Sequence, residues 1–151
     1  MTAPSGRVAG IDYGTVRIGI AISDARRTIA SPLENYNRRD REHDAEHFRR
    51  LARDEQIVQF VVGLPVHNDG SESRKSLEAR AFGAWLRELT GVPVAFFDER
   101  FTTVEAERLL ADAKLTKARR KARLDMLAAQ ILLTAYLESP QQGERPQSLD
   151  G

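Results

Sequence analysis

The chain reads as one α/β domain built on a mixed β-sheet, and three observations predict it. Residues 8–24, VAGIDYGTVRIGIAISD, form two short apolar strands joined by a tight turn, and strands joined that closely pair antiparallel. Two further apolar runs, Ile57–Val62 (IVQFVV) and Val92–Phe97 (VPVAFF), are each reached through a helical stretch. That alternation produces parallel pairing with crossovers. The 151 residues contain no cysteine, so a single domain of this length must close its core without disulfides and has no thiolate metal site.

Composition narrows the class further. Lys and Arg number 23 against 22 Asp and Glu, a net charge of +1, so any basic surface must be local. No apolar run is long enough to cross a bilayer, and MTAPSGR lacks a signal-peptide core. A cytoplasmic protein without a membrane partner is expected.

Taken in order, residues 1–6 read as a flexible leader. Val8–Asp12 is a buried strand ending in a carboxylate, Tyr13-Gly14-Thr15 turns the chain, and Arg17–Ser23 alternates Ile18, Ile20 and Ile22 with Gly19, Ala21 and Ser23. Gly14 can take positive φ where other residues clash. Thr28–Tyr36 is a third strand whose Pro32 assigns it to a sheet edge, because proline lacks a ladder donor. A charged helix spans about 41–54 with the stripe Ala45, Phe48, Leu51, Ala52. Its His43 and His47 are one turn apart, yet the residues between them do not complete a zinc-protease pattern, and a solvated face is the simpler reading.

Ile57–Val62 reads as a central strand covered on both faces. Asp69-Gly-Ser-Glu72 has capping-box spacing and predicts a helix over about 72–90, with Leu77, Ala81, Ala84, Trp85 and Leu89 buried and Gly91 as its stop. Val92–Phe97 ends in Asp98-Glu99-Arg100. Thr102-Thr-Val-Glu105 is a second capping-box pattern, predicting a helix to about Asp112. Residues 113–121 form a basic loop or helix entry, a last helix runs to about Glu138, and the polar tail 139–151 is expected to be disordered.

Three acids stand where charges are costly. Asp12 closes an apolar strand, although a turn-forming Asp bonded to its own backbone reads the same way. In the last helix Arg123, Gln130, Thr134 and Glu138 share the wet face, which places Asp125 opposite, on the stripe with Ala128, Ala129, Leu132 and Tyr136. An inward charge there needs a partner, either an internal cation such as Lys121 or Arg100, or a metal. Strands starting at Val8, Ile57 and Val92 run parallel, so Asp12 and the Asp98-Glu99 pair reach the same carboxyl edge, where open α/β sheets place their sites. Glu99 is favoured as the inward acid, with Asp98 capping locally or pairing with Arg100. Clustered carboxylates repel unless a cation joins them, and oxygen donors suit Mg²⁺ or Mn²⁺.

Beside these acids lies a basic run, Lys114, Lys117, Arg119, Arg120, Lys121 and Arg123, uninterrupted by acid between Asp112 and Asp125. Such a run is ordinarily a solvated face. Here it crowds a helix amino end that disfavours cations, and a phosphate backbone would relieve it. Lys117, Arg119, Arg120, Lys121 and Arg100 are the candidate nucleic-acid contacts.

The blocks GIDYGTVRIGIAISD, VVGLPVHNDGSES, FFDERFTTVEAERLL and RLDMLAAQILL, in this order and spacing, resemble the YqgF/RuvX family of ribonuclease-H-like proteins related to Holliday-junction resolvases. The resemblance covers roughly residues 7–138. It implies a ribonuclease H-like, five-stranded mixed sheet of order 3-2-1-4-5 flanked by helices, and a cytoplasmic, metal-dependent nuclease linked to maturation of the 5′ end of 16S rRNA. The family's acidic triad falls on Asp12, Glu99 and Asp125. These are the expected catalytic and metal-binding residues for two-metal hydrolysis with Mg²⁺ or Mn²⁺. Asp-Tyr-Gly-Thr also resembles the phosphate turn of sugar kinases and actin-like ATPases, but those place ATP between two such domains, and one is expected here. The expected partner is RNA, with branched or single-stranded DNA left open. A four-way DNA junction, for which a homodimer would be needed, is the alternative, as is a non-catalytic nucleic-acid-binding module.

Overall fold

The computed structural model describes residues 6–101 and 117–138, with the side chains of the last helix described from Met126 onward. Strands β1 (Arg7–Asp12), β2 (Arg17–Ser23), β3 (Ala30–Asn37), β4 (Ile57–Leu64) and β5 (Val94–Asp98) form one sheet in the order β3-β2-β1-β4-β5. β2 is antiparallel to β1 and β3 to β2, whereas β4 is parallel to β1 and β5 to β4. The expected mixed sheet and its order are therefore observed.

Alternation along the strands builds two cores. Ala9, Ile11, Ile18, Ile20, Phe60 and Val62 face helices α1 (Arg41–Asp54) and α2 (Arg74–Thr90), meeting Phe48, Phe82 and Leu86. Val8, Ala21, Val61, Ala95 and Phe97 face the other way, onto Ala129, Leu132, Leu133 and Tyr136 of α3 (Lys117–Glu138). α3 lies directly on β1, since a Cβ built on Gly10 would fall 2.9 Å from Leu133 Cβ and 3.1 Å from the Ala129 carbonyl. Leu132 packs beside Gly63, and one turn later Tyr136 Oη accepts from Gln59 Nε2 at 2.8 Å. The helix thus descends β4 as its number rises, and its earlier turns head toward the sheet's carboxyl edge.

Several elements differ from the sequence reading. β3 starts at Ala30 rather than Thr28, because the Asp24 carboxylate accepts from the Thr28 and Ile29 amides and the Thr28 hydroxyl and holds 24–29 as a loop. Pro32 sits on the edge strand as expected, and the β2–β3 register slips beside it. β4 extends to Leu64, and β5 starts only at Val94, after Pro93, whose carbonyl accepts from the Phe60 amide. α2 is capped by Ser73, whose hydroxyl accepts from the Ser76 amide, not by Asp69, which instead bonds the Ser71 amide and hydroxyl.

The buried face of α2 also differs. Ser76, Ala79, Phe82, Gly83 and Leu86 turn inward, whereas Leu77, Ala81 and Ala84 are exposed and Trp85 and Leu89 half-buried. Gly83 decides this, because a Cβ there would lie 2.5 Å from the Phe96 ring. The side without a side chain is the side that meets β5. Gly91 ends the helix at φ 73°, as its type predicts. The second capping box at Thr102, the helix to Asp112 and residues 113–116 lie outside the described residues, as do the leader 1–5 and the tail. Among the described residues no helix is long and apolar enough to cross a membrane.

Candidate active site

β1 and β5 both end at the carboxyl edge, and each delivers an acid to one cavity of about 400 Å³ lined by Asp12, Glu99, Lys75, Glu78 and Arg17. The backbone makes room for them. Gly19 lies opposite Asp12 in the β1–β2 register, so the cross-strand partner of that acid carries no side chain. Gly63 faces Glu99, and a Cβ there would stand 2.7 Å from Glu99 Oε1. Gly14 closes the Tyr13–Val16 turn by close approach rather than by the positive φ its type allows. A Cβ on it would meet the Arg17 carbonyl at 2.3 Å, and Gly14 is absent from the positive-φ residues.

The neighbours Asp98 and Glu99 take opposite roles. Asp98 is partly buried, which works against its charge, but the Arg100 guanidinium and amide outweigh this and hold its carboxyl below the usual range. Arg100 donates to Asp98 through its amide, Nε and Nη2, the last at 2.6 Å, and through Nη1 to the Asn68 carbonyl. It thereby ties the 65–72 loop to the end of β5. Its guanidinium, a candidate nucleic-acid contact by sequence, is engaged in that clamp. Glu99 opens a single 3₁₀ turn, Glu99–Phe101, and turns inward. Burial, then the Asp98 charge, push its carboxyl up, with Lys75 opposing.

Lys75 and Glu78 were not singled out in the sequence. They share one face of the first α2 turns, and the usable signal was the position of that helix start, one loop beyond the carboxyl end of β4. Arg17, the first residue of β2, enters the cavity because the hairpin turn is so short. The two helical histidines take separate partners, His43 Nδ1 with Asp40 Oδ2 at 2.6 Å and His47 Nε2 with Glu34 Oε1 at 2.5 Å, the second ring stacked on Tyr36. The side chains of Asp125, Lys117, Arg119, Arg120 and Lys121 lie outside the described residues.

The donors in this cavity are carboxylate oxygens, which match a hard divalent cation. Gly63 holds open the space that a Cβ would take from the Glu99 carboxylate. The residues present therefore fit such an ion, although among the described residues no group of three ligands is assembled.

Comparison with known proteins agrees with this architecture. Residues 6–139 match the family model described as "RuvX: Holliday junction resolvase". A protein of Rhodopirellula baltica named "Putative pre-16S rRNA nuclease" is 52% identical over 135 residues, 89% of this chain and 78% of the relative. One of the same name from Rhodobacter capsulatus is 41% identical over 133 residues, covering 88% and 84%. Among solved structures, T. thermophilus RuvC in complex with a Holliday junction substrate superposes with a TM-score of 0.63 at 13% identity, over 94% of this chain and 99% of that one. A fowlpox virus resolvase bound to junction DNA gives 0.56 at 10% identity, over 89% and 98%. These likenesses bear on the fold, which is the ribonuclease H-like class expected from sequence.

Proposed function

The chain belongs to the RuvX family, and on that premise we propose that it is a divalent-metal-dependent nuclease that trims the 5′ end of precursor 16S rRNA in the cytoplasm. The observation that carries the reading is the meeting of Asp12 and Glu99 in one cavity at the carboxyl edge of the sheet, with Lys75 and Arg17 beside them. The names of the relatives supply the substrate. The direction of α3 supports a third acid, because carrying its axis back one turn from Ala129 brings the Asp125 backbone toward the edge that holds Asp12.

Asp12, Glu99 and Asp125 are the residues that would hold the cation. When bound, Mg²⁺ or Mn²⁺ supplies Lewis-acid polarisation of a phosphodiester and activation of water. The protein's own part is positioning. Asp12 is fixed by its ladder place opposite Gly19, and Glu99 is fixed against Gly63. Lys75 and Arg17 offset phosphate charge in a partly enclosed space where that charge is poorly screened. Lys117, Arg119, Arg120 and Lys121 would contact the phosphate backbone without reading bases. The nuclease domain spans 7–138, and the basic start of α3 is part of it.

The test is a cleavage panel of single-stranded RNA, single-stranded DNA and a four-way junction, each with and without Mn²⁺. Mn²⁺-dependent cleavage of RNA, lost in Asp12→Asn and Asp125→Asn, is the expected result. Undiminished cleavage by Asp12→Asn removes this site from the mechanism. Paired symmetric cuts confined to the junction, by a protein that sediments as a dimer, would replace rRNA with DNA as the substrate. Tight binding in EDTA with no cleavage of any substrate after Mn²⁺ is added would make the chain a binding module.

A further inference from the structure

A second cavity, also about 400 Å³, abuts the acidic one and shares Tyr13 and Glu78 with it. Its other walls are Arg38, Arg39, Arg41, Phe82 and the half-buried Trp85. Three arginines and the half-buried Trp85 lining one hollow make a chemically specific combination. Arginines neutralise phosphate and aromatic rings accept bases, which is how single strands are held without reading sequence.

The hollow is built rather than incidental. Asp44 is 2% exposed and accepts from Tyr36 Oη at 2.6 Å, from the Arg39 amide at 2.9 Å and from Arg38 Nε at 3.3 Å. This fixes the Arg38 guanidinium, which donates through Nη1 to Tyr13 Oη at 3.0 Å and lies 5.4 Å from the centre of that ring. Asp44 is thus committed to the wall, and Glu78 faces Arg74, 3.7 Å away. Arg39 and Arg41 are exposed, and among the described residues no ion pair holds either guanidinium. Positive charge therefore dominates the open side of the hollow.

We propose that this cavity takes the unpaired nucleotide next to the scissile phosphate, with its base on Trp85 and its phosphates on Arg39 and Arg41. The assignment rests on the nuclease reading for the position of the scissile phosphate. It adds a requirement that the acidic cavity alone does not impose: the substrate must present an unstacked base beside the cut. A continuous duplex offers none.

Trp85 is the sole tryptophan of the chain, so base stacking there has its own optical readout. The full-length Asp12→Asn protein is titrated with a labelled single-stranded RNA, following label anisotropy and Trp85 emission together, and then with single-stranded DNA and the fully paired duplex. Emission falls in step with anisotropy for the single strands and stays constant for the duplex. Adding Arg39→Ala and Arg41→Ala weakens binding about tenfold and lowers the slope of log K against log salt by about 1.4, two single-strand phosphate contacts at about 0.7 each. The melting temperature is unchanged, because both side chains lie at the surface. RNA that binds by anisotropy without altering Trp85 emission, or a double variant that keeps both affinity and salt slope, overturns the proposal. Either result alongside wild-type cleavage in Mn²⁺ refutes the nucleotide cavity alone. Quenching and weakened binding with no wild-type cleavage refute the nuclease reading and leave the cavity standing.

Discussion

Replacing Gly63 by alanine separates the cost to the fold from the cost to the site. The new Cβ would sit 2.7 Å from Glu99 Oε1, 3.2 Å from Leu132 Cδ2 and 3.3 Å from Glu99 Cγ. All three are side-chain atoms, and the nearest is the free end of a flexible one, so the backbone need not move. To reach ordinary contact at 3.4 Å the carboxylate must retreat by about 0.7 Å, the difference between 3.4 and 2.7. Overpacking that a side chain can relieve belongs at the bottom of the range of about 1–3 kcal/mol. For a chain of this size that lowers the melting temperature by about 2–4 °C. Catalysis is less forgiving, since a misplacement of about 1 Å can cost about a hundredfold, and 0.7 Å predicts a loss between about tenfold and about a hundredfold in kcat. Gly14→Ala is the contrast, because its Cβ would strike the Arg17 carbonyl at 2.3 Å, and backbone cannot yield so cheaply. It is expected to lower the melting temperature more than Gly63→Ala does. The assay is single-turnover cleavage in saturating Mn²⁺, far below each melting temperature, beside calorimetry. Full activity in Gly63→Ala, or a loss no greater than its unfolded fraction, would refute the placement of the Glu99 carboxylate in the machinery.

Glu99→Gln should abolish cleavage while raising the melting temperature at pH 7. The folded state holds the Glu99 proton more tightly than the unfolded chain, so its ionisation opposes folding above its ordinary value of 4.5, and the gap between variant and wild type should close in acid. Asp24→Ala has the opposite sign. The Ile29 amide, then the Thr28 hydroxyl and amide, hold the Asp24 carboxyl at about 2, so its stabilisation is complete above 3.8 and fades as pH falls through about 2. Melting curves of both proteins across that window check it. Asp44→Ala should destabilise by about 1–3 kcal/mol, since it leaves the Tyr36 hydroxyl and the Arg39 amide without their buried acceptor, while the part-exposed Arg38 keeps its bond to Tyr13. The same loss should bring the Tyr36 phenol, now pushed up to about 12 by burial and then by Asp44, back toward its usual range in an ultraviolet titration.

What the sequence disclosed follows from how far each signal reaches. The bounds of β2 and α1 were legible because alternation and a helical apolar stripe are local, and the edge position of β3 was legible because Pro32 lacks a donor wherever it sits. The buried face of α2 was not. Leu77, Ala81 and Ala84 have helical spacing as good as that of Ala79, Phe82 and Leu86, and the choice was made by Phe96, whose ring fits only against a helix side with no Cβ at Gly83. The same reach explains Lys75 and Glu78. Neither stands out in its own stretch, and both enter the site because the cap falls at Ser73, two residues before Lys75. The acids were easier because an acid ending an apolar strand is a local anomaly, although alternation alone does not separate Asp98 from Glu99. What separates them is Arg100, which reaches back to Asp98 and forward to Asn68. With Asp98 paired to Arg100, Glu99 is left in the cavity with its charge opposed by burial and by Asp98. A carboxylate held in that condition gains more from a divalent cation than one already paired, which favours Glu99 over Asp98 as the proposed metal ligand.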